Sequence, residues 1–280
     1  MGSVALKIND FGLFYETVSN ITKISKSAKI TLGRSGFKTS VKTDGRVARL
    51  DVSSNAVCID GDDIAICTQE LNILSQILYK IVKAHAPKSH KSEPPDYSDV
   101  SISIEDDTSV RIKSNTFKTS FGLVKESAIT VLKSHNYAWN TIAEVNVELD
   151  DIKEVLSSTF VFRDTKDLLV SICHQEDMVR NVAYAEIYDP KDPTANKFVT
   201  KFGNIMVGDL TRRILFDIPR FQVMSVFPVD AMVVKLNQQP CAFTNFSISG
   251  DEKSGCKTDF TLLFEYMSDS YAVANNGTAA

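Results

Sequence analysis

The chain has 280 residues, 43% of them hydrophobic and 24% charged, with a formal net charge of −4. That is enough apolar material for one large or two medium globular domains. No run of 18 apolar residues occurs and no basic segment leads into an apolar block with a small-residue cleavage site, so neither a membrane span nor a secretory leader is expected and the reading is of an intracellular protein.

In chain order, "VALKIND" (Val4 to Asp10) reads as a strand. The following "DFGLFYETVSNITKISK" sets Phe11, Phe14, Val18 and Ile21 on one helical face, with Asp10 as its N-cap. Period-two runs come next: "AKITLGRS", "FKTSVKT", "RVARLDV" and "NAVCID", broken by Gly33, Gly36, Gly45 and a Ser-Ser-Asn turn. The strand "DDIAICTQ" leads into "LNILSQILYKIVKAHAPKSHK", a helix with Leu71, Leu74, Ile77, Leu78 and Ile81 on its buried stripe. The strands "DVSISIE", "SVRIKS" and "TFKTSFGLV" close this half.

The same order then returns. "AEVNVE" is a strand, and "LDDIKEVLSSTFVF" is a helix with Leu149, Ile152, Leu156 and Phe160 aligned. Strands "DLLVSICHQ", "RNVAYAEIYD", "KFVTKFGNIM" and "TRRILFD" follow. The helix-like "IPRFQVMSVF" has Pro219 near its first turn, and "DAMVVKL", "AFTNFSIS" and "TDFTLLFEYM" end the half. The economical explanation is an internal duplication of one α+β pattern: strand, helix, strands, strand, helix, strands. The domains are then 1–124, a surface connector 125–142, 143–268, and a small polar tail 269–280 expected to be disordered.

Catalytic strings are missing: there is no G-x-x-x-x-G-K-[ST], G-x-G-x-x-G, G-x-S-x-G or H-E-x-x-H. His174 beside Glu176 and Asp177 reads as a strand-end histidine sooner than a metal ligand, and Glu105 to Asp107 as a turn. The five cysteines are odd in number, widely spaced and never C-x-x-C, so reduced buried thiols are expected. Neither a cofactor nor a metal is expected, and the chain is read as no enzyme.

Charge is the feature that asks for a reason. Leu71 to Lys91 holds four lysines, two histidines and no carboxylate in an acidic chain, and Thr17 to Thr43 also lacks any acid. The polar side of the second helix, with Ser75, Gln76, Tyr79, Lys80 and Lys83, suits a phosphate backbone and equally suits water.

The repeat, the connector and the basic helix faces resemble the DNA sliding clamps of the proliferating cell nuclear antigen type, including the polymerase clamps of tailed phages. The resemblance covers Val4 to Met267. It implies a ring of three identical subunits around duplex DNA, helices lining the hole and sheets outside, which tethers the replicative DNA polymerase as a processivity factor. It implies that Lys23, Lys26, Lys29, Lys80, Lys83, Lys88, Lys91, Lys153, Arg163, Arg212, Arg213 and Arg220 face the DNA, without reading its sequence. It implies subunit pairing through Phe117, Thr119 and Phe121 on one edge and Phe198, Thr200 and Phe202 on the other, although both strands could instead be interior. Peptides of the polymerase and clamp loader would dock at Val47, Leu50, Val131, Leu132, Pro228, Tyr266 and Met267, residues that could equally just close the cores. A viral source would put the protein in a host cytoplasm. Two other readings stand: a subunit of a hetero-oligomeric checkpoint-type clamp, and a metal-dependent enzyme of unrelated α+β fold using Asp150 and Asp151.

Overall fold

A computed structural model of the chain describes residues 3–43, 48–86, 95–106, 108–130, 140–162, 167–174, 181–192, 197–210, 213–227, 230–237 and 241–265, the side chains of Cys241 and Phe243 excepted. The chain divides into two compact units, Met1–His135 with Ser247–Phe260, and Asn136–Phe246 with Thr261–Ala280. The tip of the last hairpin thus belongs to the first unit, a division that strand periodicity alone does not reveal.

The first unit runs β1 (Val4–Ala5), β2 (Lys7–Ile8), α1 (Phe11–Thr22), β3 (Ala28–Gly33), β4 (Gly36–Lys42), β5 (Ala48–Ser54), β6 (Val57–Cys58), β7 (Ile64–Thr68), α2 (Leu71–His85), β8 (Ser101–Glu105), β9 (Ser109–Lys113) and β10 (Lys118–Gly122). The single strand expected at Val4 to Asp10 is split at Leu6, because β1 pairs with β8 while β2 pairs with β6. One antiparallel sheet has the order β1-β8-β9-β10, and a second runs β5-β4-β3-β7. "NAVCID" supplies only the two residues of β6, outside both sheets.

Helix α1 begins where Asp10 takes an extended backbone and its Oδ1 accepts the Leu13 amide at 2.8 Å. The other carboxylate oxygen of Asp10 accepts from the Asp251 amide (2.9 Å) and Ser254 Oγ (2.8 Å), so the cap also holds the hairpin tip. Phe11, Phe14, Val18 and Ile21 are all buried, as the period requires, and Phe14 meets Phe37 of β4 edge to face at 6.0 Å. A hydroxyl chain, Thr17 to Thr258 to Ser54 at 2.7 Å per link, satisfies these three hydroxyls buried beneath the helix. Helix α2 buries Leu71, Leu74, Leu78 and Ile81, and Ile77 is only half covered.

The second unit runs β11 (Thr141–Glu148), α3 (Leu149–Ser158), β12 (Leu169–Cys173), β13 (Val182–Tyr188), β14 (Phe198–Gly208), β15 (Ile214–Asp217), α4 (Ile218–Gln222), β16 (Ala231–Asn237) and β17 (Cys241–Ser249), and ends in β18 (Lys257–Glu265); the last residues of β17 and the first of β18 belong to the other unit. Its antiparallel order is β15-β12-β13-β14-β11-β16-β17. Phe202, Phe216 and Phe221 form its aromatic centre, with ring centroids 5.9 and 6.2 Å from that of Phe221. Strand β14 changes partner along its length: Phe198 to Asn204 follow β13, and Asn204 to Gly208 follow β11. Two glycines permit this. A Cβ on Gly203 would overlap the carbonyl oxygen of Asn146, and Gly208 sits at φ +79°, a left-handed conformation that costs a side chain dearly.

Helix α3 corrects the expected stripe. The buried residues are Ile152, Val155 and Ser158, whereas Phe160 is 76% exposed. The helix ends at Ser158 and tightens into a 3-10 turn over Thr159–Phe162, so the later positions rotate away from the line set by Ile152. Helix α4 is likewise a short helix capped by Asp217, with Pro219 in its first turn, followed by a 3-10 turn over Val223–Val226. The expected tail lies outside the described residues.

Candidate functional site

Helices α1 and α2 lie side by side and antiparallel in the first unit. The Leu71 amide at the start of α2 donates to the Lys26 carbonyl just beyond α1 (2.9 Å), while further along Tyr79 reaches Tyr15, ring centroids 6.0 Å apart. Their apolar stripes are buried, so the opposite sides form one shared outer face. From Phe11 to Ile30 and from Leu71 to Ala86 the only carboxylate is Glu16. Lys23, Lys26, Lys80 and Lys83 are exposed, and Lys23 Nζ donates to Asn20 Oδ1 at 2.8 Å. A face of four cations and one anion attracts polyanions over about a Debye length, roughly 10 Å at moderate salt. Tyr79, 49% exposed, and Tyr15 add aromatic surface among them. Tyr79 stood on the polar side of its periodicity, but nothing in the string announced the pairing.

The other expected DNA-facing residues divide. Lys29 is corrected: it stands on β3, the strand its period-two run predicts, and its Nζ is not free for DNA but held by Glu126 at 2.8 Å. Arg213 is corrected as well, since it precedes β15 and reaches the buried Glu186 of β13 at 3.3 Å, a carboxylate that also binds Lys197 at 2.8 Å. Arg220 lies on α4 but is engaged by its own cap, Asp217. Lys153 is exposed on α3 beside Asp150 (2.9 Å), and with Glu154 also exposed that face carries no positive excess. Lys88, Lys91, Arg163 and Arg212 lie outside the described residues.

The two edge strands are also mixed. Strand β10 pairs with β9 alone, so among the described residues its second backbone edge has no strand partner. Strand β14 is flanked on both sides only at Asn204, where β13 hands over to β11, which leaves one edge of Phe198 to Gly203 without a strand among the described residues. Phe117, Thr119, Phe198 and Thr200 are half-buried. Phe121, 7% exposed, and Phe202, 0% exposed, are corrected to core residues, because alternation turns them inward. Unpaired edges are templates for another chain.

Of the expected peptide-docking residues, Leu50 is fully buried in the middle of β5, opposite Val41, and is corrected to core. Val47, Val131, Leu132, Pro228, Tyr266 and Met267 lie outside the described residues. Asp150 and Asp151 both have cation partners, Lys153 and Lys201 (3.2 Å), and stand in the first turn of α3, where acids suit the helix dipole. Among the described residues no three His, Cys, Asp or Glu side chains cluster as a metal site would need, and no helix is long and apolar enough to cross a membrane.

No protein-family model matches the chain, and no curated protein matches it by sequence. Solved structures do. The proliferating cellular nuclear antigen of Entamoeba histolytica superposes with a TM-score of 0.60 at 15% identity, covering 96% of this chain and 100% of that one. PCNA of A. fulgidus, solved with the C-terminal region of FEN-1 bound, gives 0.59 at 13% identity over 96% and 99%. A PCNA2-PCNA3 complex from Sulfolobus tokodaii gives 0.56 at 10% identity over 94% and 98%. The chain has the α+β fold of a PCNA-type sliding clamp, built of antiparallel sheets and few helices.

Proposed function

We propose that the chain is a DNA sliding clamp: a non-enzymatic subunit that closes with other copies into a ring around duplex DNA and tethers a DNA polymerase. One observation carries this reading beyond the fold, the lysine-rich, nearly acid-free outer face shared by α1 and α2. Lysines on a helix pair attract phosphate through counterion release without reading bases, so the ring is held loosely enough to move. Retention then comes from topology, and the tethered polymerase stays at high local concentration near its primer end. The basic contribution is concentrated in the first unit, in Lys23, Lys26, Lys80 and Lys83, and Lys153 contributes little because Asp150 stands beside it.

Ring closure would use the open edge of β10 on one copy and the open edge of β14 around Phe198 to Gly203 on the next. Backbone pairing would supply the contact, with Phe117, Thr119, Phe198 and Thr200 flanking it. Peptide capture is proposed by analogy with the FEN-1 segment bound to the A. fulgidus clamp, at the sequence candidates Val47, Val131, Leu132, Pro228, Tyr266 and Met267.

The deciding experiment compares retention on circular and linear duplex after loading. A clamp persists on the circle and runs off free ends; equal loss from both overturns the reading. A second reading keeps the fold and changes the assembly, and the Sulfolobus tokodaii PCNA2-PCNA3 complex favours keeping it in view. Light scattering separates the two: a homotrimer of 31.0 kDa chains gives three times that mass, about 93 kDa, whereas a subunit of a mixed ring stays monomeric alone.

A further inference from the structure

The last turn of α2 contains an arrangement that DNA attraction does not require. His85 Nδ1 lies 2.9 Å from the Ile81 carbonyl oxygen, and Nε2 lies 2.8 Å from Asp99 Oδ1. A carbonyl only accepts hydrogen bonds, and an ionised carboxylate only accepts. Asp99 is held ionised by the Asn115 amide, which donates to its Oδ2 at 2.9 Å, and by His85 itself; both lower its pKa. Two acceptors therefore face the two ring nitrogens, and both are satisfied only if the ring carries both protons.

The ring is also fixed from the side. It tilts against Tyr97 with centroids 5.3 Å apart, and Tyr97 stacks on Phe11 of α1 at 4.7 Å. Among the described residues, the charged groups acting on His85 are Asp99 and Asp96 of the segment before β8. The turn between β9 and β10 sends only the Asn115 amide, to Asp99, and α1 acts only through the Phe11 ring.

We propose that His85 is a proton-dependent latch which ties the C-terminal turn of the basic helix α2, through Asp99, to the turn that precedes the open edge strand β10. In the imidazolium form both ties hold. Loss of one proton breaks one of the two ring bonds, so the imidazole lets go of either the Ile81 carbonyl or Asp99. On the clamp reading, on which this consequence rests, the latch positions Lys80 and Lys83, which lie within the two turns before it. The Ile81 carbonyl, then the Asp99 carboxylate, raise the His85 pKa above its ordinary 6.5, against the opposing effect of burial. A group raised on folding contributes stability that is complete below pH 6.5 and is lost as pH rises through the folded value.

The test follows the imidazole nitrogens and the backbone amides of the full chain by NMR between about pH 5.5 and 9, a range that brackets histidine titration. His85 is expected to titrate above 6.5, with the Asn115 amide following the same curve and exchanging at least roughly threefold faster once the proton is gone. In Asp99→Asn the histidine midpoint should fall and the Asn115 response vanish. A His85 that titrates at or below 6.5, or an Asn115 amide indifferent to it, overturns the latch; this wild-type titration stands even if a variant folds poorly. DNA retention measured over the same range separates the two readings. Retention that declines with His85 deprotonation, and is flat in His85→Gln, supports the coupling. Retention indifferent to pH overturns the coupling, and absence of retention at every pH overturns the clamp reading while the NMR result still decides the latch.

Discussion

Tyr15 of α1 and Tyr79 of α2 stand with ring centroids 6.0 Å apart at 38°, which sets the spacing of the two helices at the middle of their shared face. Lys80 and Lys83 continue from Tyr79 along the same exposed side of α2, and Lys23 and Lys26 stand at the opposite end, just beyond the last residue of α1. Replacing Lys80 and Lys83 together by Ala should weaken DNA attraction equally on unrelated sequences. It should also make the plot of log affinity against log salt shallower by about 1.8, close to 0.9 for each phosphate that is no longer neutralised. Affinity measured on two duplexes of different sequence over a salt series checks this, and a base-dependent loss would argue against it. Arg213→Ala should leave that slope unchanged, because Arg213 serves Glu186.

Gly203 should tolerate no side chain. A Cβ there overlaps the Asn146 carbonyl and comes within 2.8 Å of Val145 Cγ1, so Gly203→Ala must push β14 off β11. Backbone strain and a broken ladder of this kind cost about 2 kcal/mol or more. Gly122→Ala on β10 is the matched control, since nothing lies within 4 Å of its Cβ position. Denaturant unfolding of the two variants should give a clear loss for the first and a change within about 0.5 kcal/mol for the second.

The ion cluster on β13 should respond asymmetrically. The Glu186 side chain is 4% exposed, whereas Lys197 and Arg213 are 41% and 56% exposed. Removing the acid, as in Glu186→Gln, frees two cations that water can solvate at once, a loss of about 1 kcal/mol. Removing both cations strands a buried carboxylate, which costs about 3 kcal/mol or more. The double variant Lys197→Met with Arg213→Met should therefore be the less stable of the two at pH 7, which denaturant unfolding of both variants checks.

Leu50 separates core from docking surface. At 0% exposure in the centre of β5, its replacement by Ala should cost about 2 to 5 kcal/mol by leaving a cavity. A variant of a docking pocket would instead keep its melting behaviour and lose peptide affinity. Thermal denaturation beside a peptide-binding titration tells the two apart.

Apolar periodicity was enough to read the strand and helix order of both halves, the Asp10 cap and the stripes of α1 and α2, because burial acts on every turn of a regular element. The same periodicity misjudged α3, where the switch to a 3-10 turn carried Phe160 out of line. Charge was legible only as composition. The string shows lysines near helices, but whether a lysine is available to a ligand depends on which carboxylate folding brings beside it. Lys29 meets Glu126 across 97 positions, and Arg213 meets Glu186 across 27.

What the sequence by itself determined is the local grammar: which segments are strands or helices, where α1 starts, and which side of α1 and of α2 is apolar. Only the tertiary structure decided which cations stay free, that Phe121 and Phe202 turn inward, and that His85 meets two acceptors at once. Local structure follows from neighbours three or four residues apart, whereas pairing of charges and direction of edge strands follow from contacts between elements far apart in the chain.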